Sequence, residues 1–507
     1  MTIFSSKEPN IEIAAGPVRG RPDRRDGAPA SGGPTSYGAR YGMVAVSCAL
    51  AISAFAADTT PAVVNNPSSA ERFAKPSTEL VAREDRYWKR TPLAVPENIV
   101  LEASGILGIS GQRLLVTTRR GEVWLVEGAY AGTTPKFTLF ASGLHEPLGI
   151  IVAPKGGYYI AQRQEVTRVE DTNGDGRADV FETVCKLPIS GSYHEYNFGP
   201  VMAPNGNLRV TMNVAFGGST QSPAPWRGWM VEITPDGQMT PIAGGLRSPC
   251  GLMVTSQGEW FYSDNQGEWV GSGKVTHLEP GDFAGHPAGL AWSRLAGSTV
   301  KLRSSDILDF EKPMPEVAKT LTGLKPPALW LPHTVQGISV SGMIEDLSAG
   351  KFGPFAGQFF ISDQGQSKIM RMTLEKVKGV WQGASYAFRE GFDAGIVRIS
   401  HGDDGVMFVG ETARGWGSVG PKQQGIERLN WTGETPFEIK EVRARPDGFE
   451  LTFTQPVDRA TAEKPESYGV SGFTYYYHRA YGSAPMNRMA CPVRKVIVAP
   501  DGLSVRL

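Results

Sequence analysis

The sequence predicts an all-β protein: a six-bladed β-propeller followed by a small immunoglobulin-like β-sandwich. Glycine (61 residues) and proline (37 residues) are frequent without a collagen-like period, which indicates many tight turns. A pattern of a turn followed by a strand recurs six times along the chain. The C-terminal segment instead alternates apolar and polar residues around Asp-Gly turns.

Each copy of the repeat places a glycine-containing turn before an apolar strand. The strands begin at Leu114, Tyr158, Leu208, Trp260, Phe359 and Met407. Two copies are preceded by similar segments, GLHEPLGI at residues 143–150 and GLRSPCGL at residues 245–252. Most intervals are about 50 residues, which is typical of a propeller blade with four short strands. We therefore predict one blade for each copy.

The interval between Trp260 and Phe359 is about twice as long as the others. We assign the surplus to a proline-rich insertion around residues 281–335. A seventh blade hidden in this interval is the alternative. The propeller is then predicted to span residues 96–432.

Residues 437–507 are predicted to form the immunoglobulin-like sandwich. The segments EVRARPDGFELTFTQPVD and RKVIVAPDGLSVRL both have the pattern of a β-hairpin with an Asp-Gly turn. Because the chain stops in the second strand of the last hairpin, we expect this domain to be incomplete.

An apolar run, MVAVSCALAISAFAA at residues 43–57, ends in the small-residue pattern of a signal-peptidase site. The run is short for a membrane span. Residues 1–57 are therefore predicted to be an export signal with a disordered leader, and residues 58–95 a linker. We expect a periplasmic or secreted protein without a stable membrane span in its mature form; an uncleaved anchor is the alternative.

The chain carries 51 basic and 51 acidic residues, so no net field attracts nucleic acid, and we expect no nucleic-acid partner. Outside the predicted signal, Cys185, Cys250 and Cys491 stand at wide spacing without a CxxC or CxxCH motif. This pattern argues against a zinc knuckle and against covalently attached haem.

The segment DTNGDGRADVFE, residues 171–182, matches the twelve-residue pattern of a calcium loop. Calcium prefers six to eight oxygen ligands, and this spacing wraps oxygens around one point. The ligands would be Asp171, Asn173, Asp175, the Arg177 carbonyl, Asp179 and Glu182. A strand rather than a helix precedes the loop, so we expect the ion to stabilise a blade connection. A solvated acidic turn is the alternative.

Polar residues recur at one level of the repeat, about 13 residues before the strand core, which we place near the mouth of the central channel. They are His145, His194, Arg247 and Asp393, and His333 is expected to open the fifth blade similarly. Polar groups that converge at such a mouth are what a small-ligand site requires. Each histidine alone would equally be a hydrogen-bonded spacer, so the prediction depends on the shared position.

Four segments resemble motifs of the soluble quinoprotein glucose and sorbosone dehydrogenases, and they follow in the same order. They are HEYNFGPVMAPNGNLRVT at 194–211, GLRSPCGL at 245–252, VTHLEPGDFAGHP at 275–287 and RISHGDDGVMFVGET at 398–412. The resemblance covers about residues 100–430. It implies a six-bladed propeller that binds pyrroloquinoline quinone (PQQ) at the axial mouth, with calcium contacting the quinone.

The resemblance also implies roles for individual residues. His194 would be the general base that takes a proton from a sugar hydroxyl, and Arg247 would hold the quinone and support catalysis. His145, His333 and Arg398 would join Arg247 in binding the cofactor. We expect a small sugar or alcohol as the substrate and an external electron acceptor, a cytochrome or a quinone.

The sequence departs from the family pattern in several places. Ser248 stands where the family has an asparagine, and the run from Phe283 to His286 replaces an aromatic run. Arg398 lies one position away from the family's arginines. Candidate ligands for the cofactor's calcium are Asp264, Asn265 and Glu268.

The leading hypothesis is an exported PQQ-dependent oxidoreductase that oxidises a sugar or a related alcohol or aldehyde. Two alternatives stay open: a non-catalytic propeller that binds carbohydrate or protein, and a calcium-dependent propeller lactonase or hydrolase. Because fold does not decide function, the discriminating feature is the pair His194 and Arg247, which quinone chemistry needs and simple binding does not.

Overall fold

The computed structural model describes residues 74–215 and 223–507, together with three short strands nearer the N-terminus. Six consecutive antiparallel sheets form the blades of a β-propeller. The prediction of an all-β, six-bladed propeller is therefore confirmed.

The blades are numbered 1 to 6 in chain order, and each has four propeller strands. Blade 1 contains Ala103–Ile109, Arg113–Thr118, Val123–Glu127 and Lys136–Ala141. Blade 2 contains Ile150–Val152, Tyr158–Ala161, Glu165–Glu170 and Val180–Lys186. Blade 3 contains Asn197–Met202, Leu208–Met212, Trp229–Ile233 and Met239–Gly244. Blade 4 contains Gly251–Val254, Trp260–Asp264, Gly273–His277 and Leu329–Leu331. Blade 5 contains Val340–Glu345, Phe359–Asp363, Lys368–Val377 and Val380–Arg389. Blade 6 contains Ile396–His401, Met407–Thr412, Gln424–Trp431 and Trp88–Pro92.

The second strand of every blade begins at or beside the residue that the repeat predicts. Trp260–Asp264, Phe359–Asp363 and Met407–Thr412 are buried at every position. A strand covered on both faces consists of a continuous run of apolar and small residues instead of an alternating pattern. This burial explains why the repeat is visible in the sequence.

The two similar segments GLHEPLGI and GLRSPCGL place glycine where neighbouring blades touch. A Cβ atom on Gly149 would lie 2.1 Å from the carbonyl oxygen of Gly199, at the start of the next blade. A Cβ atom on Gly251 would similarly lie 2.3 Å from the carbonyl oxygen of Ser341. The second glycine of each segment therefore permits the first strands to pack closely around the axis.

The ring of blades is closed by a strand from the N-terminal side. The first strands contact one another from blade 1 to blade 6 and again from blade 6 to blade 1. Trp88–Pro92 pairs antiparallel with Gln424–Trp431 and completes blade 6. This corrects the predicted linker at residues 58–95, because residues 88–92 belong to the propeller.

The helix Thr78–Asp85 precedes the closing strand. Its N-cap is Ser77, whose hydroxyl accepts a hydrogen bond from the Leu80 N–H. At its other end, Glu84 accepts a 2.8 Å bond from the fully buried Arg389 of blade 5. The helix therefore ties the closing strand to a second blade.

The long interval in blade 4 is an insertion between its third and fourth strands. It contains the 3-10 helices Pro287–Arg294 and Ser304–Asp306, the strand Lys312–Pro313 and the helix Met314–Thr320. The alternative of a seventh blade in this interval is therefore wrong. A further short strand, Glu268–Val270, leaves blade 4 between its second and third strands.

The C-terminal region contains two small sheets. One consists of Ile439–Arg445, Gly448–Phe453, Ser504–Arg506 and Ile497–Val498. The other pairs Ser471–Thr474 with Met486–Ala490, and the helix Arg459–Ala462 and the 3-10 helix Pro465–Ser467 lie between them in sequence. The strand Tyr476–Tyr481 joins neither sheet but pairs with the propeller strands Glu268–Val270 and Lys312–Pro313. The immunoglobulin-like classification of residues 437–507 stays a prediction.

The predicted export signal at residues 1–57 lies outside the described residues, apart from three short strands. Thr2–Ile3 pairs with Ile11–Glu12, and Ala45–Ser47 adds a fifth strand to blade 5. Across the part of the chain that the structure describes, no helix is long and apolar enough to span a membrane. Within that part, Cys185, Cys250 and Cys491 carry free thiols.

Candidate functional site at the axial mouth

Two sets of loops form one face of the propeller, which we call the mouth. In an antiparallel blade, the segment leading into the first strand and the loop between the second and third strands lie at the same end. The segments leading into the blades supply Glu102, Glu146, His194, Arg247, His333 and Asp393. The loops after the second strands supply Arg119, Arg163, Glu268, Gln366 and Arg414. The residues that precede the first strand of each blade therefore lie on one common face of the propeller.

His194 is held by hydrogen bonds at both ring nitrogens. Its Nδ1 lies 2.7 Å from the Val214 carbonyl oxygen, and its Nε2 lies 2.8 Å from Ser248 Oγ. Because a carbonyl only accepts, Nδ1 carries the hydrogen and Nε2 accepts from the Ser248 hydroxyl. The unprotonated nitrogen of the imidazole is therefore the one directed at Ser248.

Burial lowers the pKa of His194 to about 4, although the hydrogen bond to Val214 acts in the opposite direction. The positive charge of Arg247 lowers the pKa further. The imidazole is neutral at physiological pH, as a general base must be, but it is a weaker base than an exposed histidine.

Arg247 is fixed by two carboxylates. Its Nε donates to Glu268 Oε2 at 2.8 Å, and its backbone N–H donates to Asp264 at 2.9 Å. The next backbone N–H, that of Ser248, donates to the other oxygen of Asp264 at 2.8 Å. Arg247 Nη1 also donates to Ser248 Oγ at 3.3 Å. His194 and Arg247 are therefore brought together, with Ser248 between them.

Glu268 connects this network to the blade 4 insertion. Its Oε2 lies 3.7 Å from His286 Nε2, in addition to its bond to Arg247. Burial alone would raise the pKa of Glu268, but the hydrogen bond from His286 and the charge of Arg247 hold it below its usual range. Glu268 is therefore ionised and balances the charge of Arg247.

A second polar cluster, which we call the arginine cluster, surrounds Glu146. Arg163 donates to Glu146 at 2.8 Å, Arg414 at 3.1 Å and Arg119 at 3.4 Å. Arg414 also pairs with the buried Glu102 at 3.0 Å. Within the described residues, the buried Nε atoms of Arg119 and Arg163 have no hydrogen-bond partner. The other nitrogens of both guanidinium groups are hydrogen-bonded within the protein, for example from Arg119 to Tyr196 and from Arg163 to Glu146.

Sequence reasoning missed the arginine cluster, although a signal for it exists. In blades 1, 2 and 6 an arginine follows within two residues of the end of the second strand, as Arg119, Arg163 and Arg414. The polar positions predicted from the repeat all precede the strand core, whereas these three arginines follow the second strand of their blades.

Two of the predicted cofactor-binding histidines have local partners. His145 is exposed, and its Nδ1 lies 2.6 Å from Gln164 Oε1. His333 Nε2 lies 3.2 Å from Gln266 Nε2, in the loop that also carries Glu268. Both histidines lie on the mouth face, and their roles in cofactor binding stay predictions.

Arg398 binds backbone carbonyls in the segments that lead into two other blades. From blade 6 its guanidinium donates to the Leu148 carbonyl at 2.6 Å and to the Cys250 carbonyl at 2.9 Å. These carbonyls lead into blades 2 and 4, and the guanidinium also lies 5.0 Å from the Phe198 ring of blade 3. These contacts indicate a brace between blades, and the role of Arg398 in cofactor binding stays a prediction.

The candidate calcium loop joins the third and fourth strands of blade 2, at the face opposite the mouth. The Asp171 carboxylate accepts from Gly174 N at 2.7 Å and from Gly176 N at 2.8 Å. Glu182 lies in the fourth strand and pairs with Arg168 at 2.7 Å. In this structure the Glu182 carboxylate is paired with Arg168, and its role as a calcium ligand stays a prediction.

The remaining donors of the loop are Asp171, Asn173, Asp175, the Arg177 carbonyl and Asp179. All are oxygen donors within one exposed turn, as calcium prefers. Across the described ranges, however, no three histidine, cysteine or acidic side chains are grouped closely enough to hold a metal ion. Calcium binding by this loop stays a prediction.

If the loop binds calcium, chelation should lower the melting temperature of the protein, because an ion that binds only the folded state stabilises it. Replacing Asp171 and Asp175 with alanine should remove this sensitivity. Thermal unfolding with and without chelator measures both effects. An unchanged melting curve in chelator would show that the loop is a solvated acidic turn.

Comparison with known proteins yields one family model and several solved structures. Residues 120–294, roughly a third of the chain, match the family described as a domain of unknown function (DUF7133). None of the curated proteins compared matches the sequence.

Several solved structures are similar to this chain over 68% of its length. The PQQ-bound aldose sugar dehydrogenase of Streptomyces coelicolor has 15% identity over 68% of this chain and 98% of its own, with a TM-score of 0.46. The PQQ domain of pyranose dehydrogenase from Coprinopsis cinerea has 12% identity over 68% and 95%, with a TM-score of 0.45. A family AA12 carbohydrate-active enzyme of Trichoderma reesei has 13% identity over 68% and 96%, with a TM-score of 0.49. The chain is similar to these proteins at low identity, and the assignment of the six-bladed fold rests on its own sheets.

Proposed function

We propose that the protein is an exported, PQQ-dependent oxidoreductase that oxidises a sugar or a related alcohol or aldehyde. The observation that carries the proposal is the connected network of His194, Ser248, Arg247 and Glu268 at the axial mouth. It combines a neutral imidazole with a fixed cation, and both are less than a tenth exposed. A neutral imidazole can accept a proton, and a fixed cation beside it can stabilise developing negative charge.

The residues at the mouth fit an anionic planar cofactor. PQQ carries carboxylates and quinone oxygens, and four guanidinium groups lie on this face of the propeller, those of Arg119, Arg163, Arg247 and Arg414. The side chain of Arg414 is the most open of the four, at 41% exposed, and is the donor that such oxygens would reach first. When bound, the cofactor supplies the acceptor for a hydride from the substrate carbon.

His194 handles the proton of the substrate. A substrate hydroxyl that replaces Ser248 at Nε2 donates its hydrogen bond to the unprotonated nitrogen, and the proton moves there as the alcohol is oxidised. The Val214 carbonyl stabilises the imidazolium that forms, because it already accepts from Nδ1. Glu268 and Asp264 fix the position of Arg247, whose guanidinium can then donate to negatively charged oxygens of the cofactor.

The test is a titration of the purified protein with PQQ and calcium, followed by absorbance, together with a dye-linked assay on a panel of aldoses. We expect a change in the quinone spectrum and oxidation of at least one aldose by an external acceptor. No change in the quinone spectrum at any calcium concentration would overturn the proposal. In that case a non-catalytic propeller would be the better description.

That second candidate, a propeller that binds carbohydrate without oxidising it, is supported by one observation. His194 and Arg247 are each only 8% exposed, and Ser248 is 3% exposed, so the network is closed to bulk solvent. Binding of a sugar without a spectral response of the quinone would distinguish this candidate from the proposed dehydrogenase.

A further inference from the structure

The segment of residues 476–483, which we call the strap, brings part of the C-terminal region to the mouth. Its strand Tyr476–Tyr481 pairs with Glu268–Val270 and with Lys312–Pro313 of the blade 4 insertion. The Gly482 N–H donates to the Gly267 carbonyl at 3.0 Å. The Ser483 N–H donates to the Gly271 carbonyl at 2.8 Å. The strap therefore lies directly on the loop that carries Glu268.

Packing holds the strap in one position. Tyr477 is fully buried, and its hydroxyl donates to the Gly285 carbonyl at 2.6 Å. Its ring lies 5.4 Å from that of Trp269. A Cβ atom on Gly271 would lie 2.4 Å from the Cβ of Ser483, so no space separates the two segments. The strap is a packed part of the site and not a loose tail.

Tyr481 is the strap residue that reaches the proposed catalytic network. Its backbone pairs with that of Glu268, and its ring centroid lies 5.1 Å from the guanidinium carbon of Arg247. The residue is nevertheless 42% exposed. Tyr481 therefore covers Arg247 while a large part of its side chain stays open at the mouth.

Exposed aromatic residues are concentrated on this face. Among the described residues, four aromatic residues are classed as exposed: Phe181, Tyr193, Trp416 and Tyr481. Only Phe181 lies away from the mouth, in the fourth strand of blade 2. Trp416 resembles Tyr481 in its setting, because the guanidinium carbon of Arg119 lies 4.5 Å from its ring. Two exposed rings at the mouth are thus each backed by an arginine.

We propose that Tyr481, together with Tyr193 and Trp416, forms an aromatic rim that stacks on saccharide rings, so that the strap determines which sugar is accepted. The proposal rests on the proposed function in placing a sugar at this mouth. A pyranose ring has an apolar C–H face, which packs on an aromatic ring, and a polar edge of hydroxyl groups. Tyr481 offers the aromatic surface, and Arg247 and Glu268 offer a donor and an acceptor beside it.

The experiment measures sugar binding by the full chain without PQQ. D-glucose, D-galactose, maltotriose and cellotriose serve as probes, with saturation-transfer NMR for detection and calorimetry for affinity. We expect at least one probe to bind and Tyr481→Ala to weaken it about tenfold. Tyr481→Phe should bind like the wild type, because the ring is retained. Phe181→Ala, which removes the exposed aromatic residue away from the mouth, is the matched control and should change nothing.

The outcomes separate this inference from the proposed function. If the wild type binds none of the probes, the proposal of an aromatic rim is overturned. Sugar affinity that is unchanged in Tyr481→Ala overturns it as well. If the melting temperature of Tyr481→Ala is lower than that of the wild type, Tyr481→Leu is tested in its place, because leucine keeps the apolar volume without a flat ring. Wild-type affinity in Tyr481→Leu then overturns the rim as well. Sugar binding that depends on Tyr481 without any oxidation overturns only the dehydrogenase.

Discussion

Replacing His194 with alanine is expected to reduce the rate of dye-linked sugar oxidation by about 10²–10⁴-fold, the range typical of a lost general base. Binding of PQQ should stay measurable, because the guanidinium groups that fit the cofactor remain. The comparison is made between kcat in the dye-linked assay and the quinone titration of the same preparation. His277→Gln is the matched control. His277 ends the third strand of blade 4, and its Nε2 lies 2.6 Å from a carboxylate oxygen of Glu259, outside the His194 network. This control should keep its activity.

The pH dependence provides an independent check on His194. Its pKa is lowered to about 4 by burial, so the imidazole is neutral, and active as a base, at every pH well above 4. The value of kcat/KM should therefore stay level as the pH falls from 7 to about 5 and decline only as the imidazole becomes protonated near pH 4. An acidic limb near pH 6.5, the ordinary histidine value, would contradict this environment for His194.

Replacing Arg398 with methionine is expected to destabilise the propeller by about 3 kcal/mol. The carbonyl oxygens of Leu148 and Cys250 would lose their charged donor at the axis, and blades 2, 4 and 6 would lose a common contact. The midpoint of urea unfolding measures the loss. Arg443→Met is the control, because Arg443 is about half exposed and its ion pair with Glu441 should contribute little.

The same variant distinguishes the two roles considered for Arg398. A brace predicts a lower unfolding midpoint with PQQ binding retained under conditions where the protein is folded. A cofactor-binding residue predicts the reverse: an unchanged midpoint and a lost quinone response. The second result would restore the role that the sequence motif suggests.

The fold was predictable because the propeller repeats its burial pattern. Strands such as Phe359–Asp363 are covered on both faces and read as unbroken apolar runs, so six copies are visible. The closing strand Trp88–Pro92 was not predictable in the same way. Its sequence, WKRTP, has one buried residue in five and no counterpart in the repeat. Its place depends on a partner strand more than 300 residues later, which local patterns do not encode.

The site was predictable where a residue occupies an equivalent point of the repeat. His194 and Arg247 were found by counting back from the strands, and the structure connects them through Ser248. Tyr481 was not predictable, because it comes from a segment outside the repeat and reaches the mouth by tertiary pairing. Glu182 matches its motif by position, yet its carboxylate pairs with Arg168 on the neighbouring strand. A spacing pattern predicts the position of a residue along its element, but it does not predict the partner with which the side chain interacts.

The closing strand of blade 6 has a consequence for biosynthesis. Residues 88–92 leave the ribosome early, but their partner Gln424–Trp431 is among the last propeller segments to be made. Until then, blade 1 has no neighbour on one side, and its apolar face is exposed. Such surfaces favour aggregation, and pairing between distant segments is slow to form. We therefore expect the nascent polypeptide to need protection by chaperones until translation has passed residue 431.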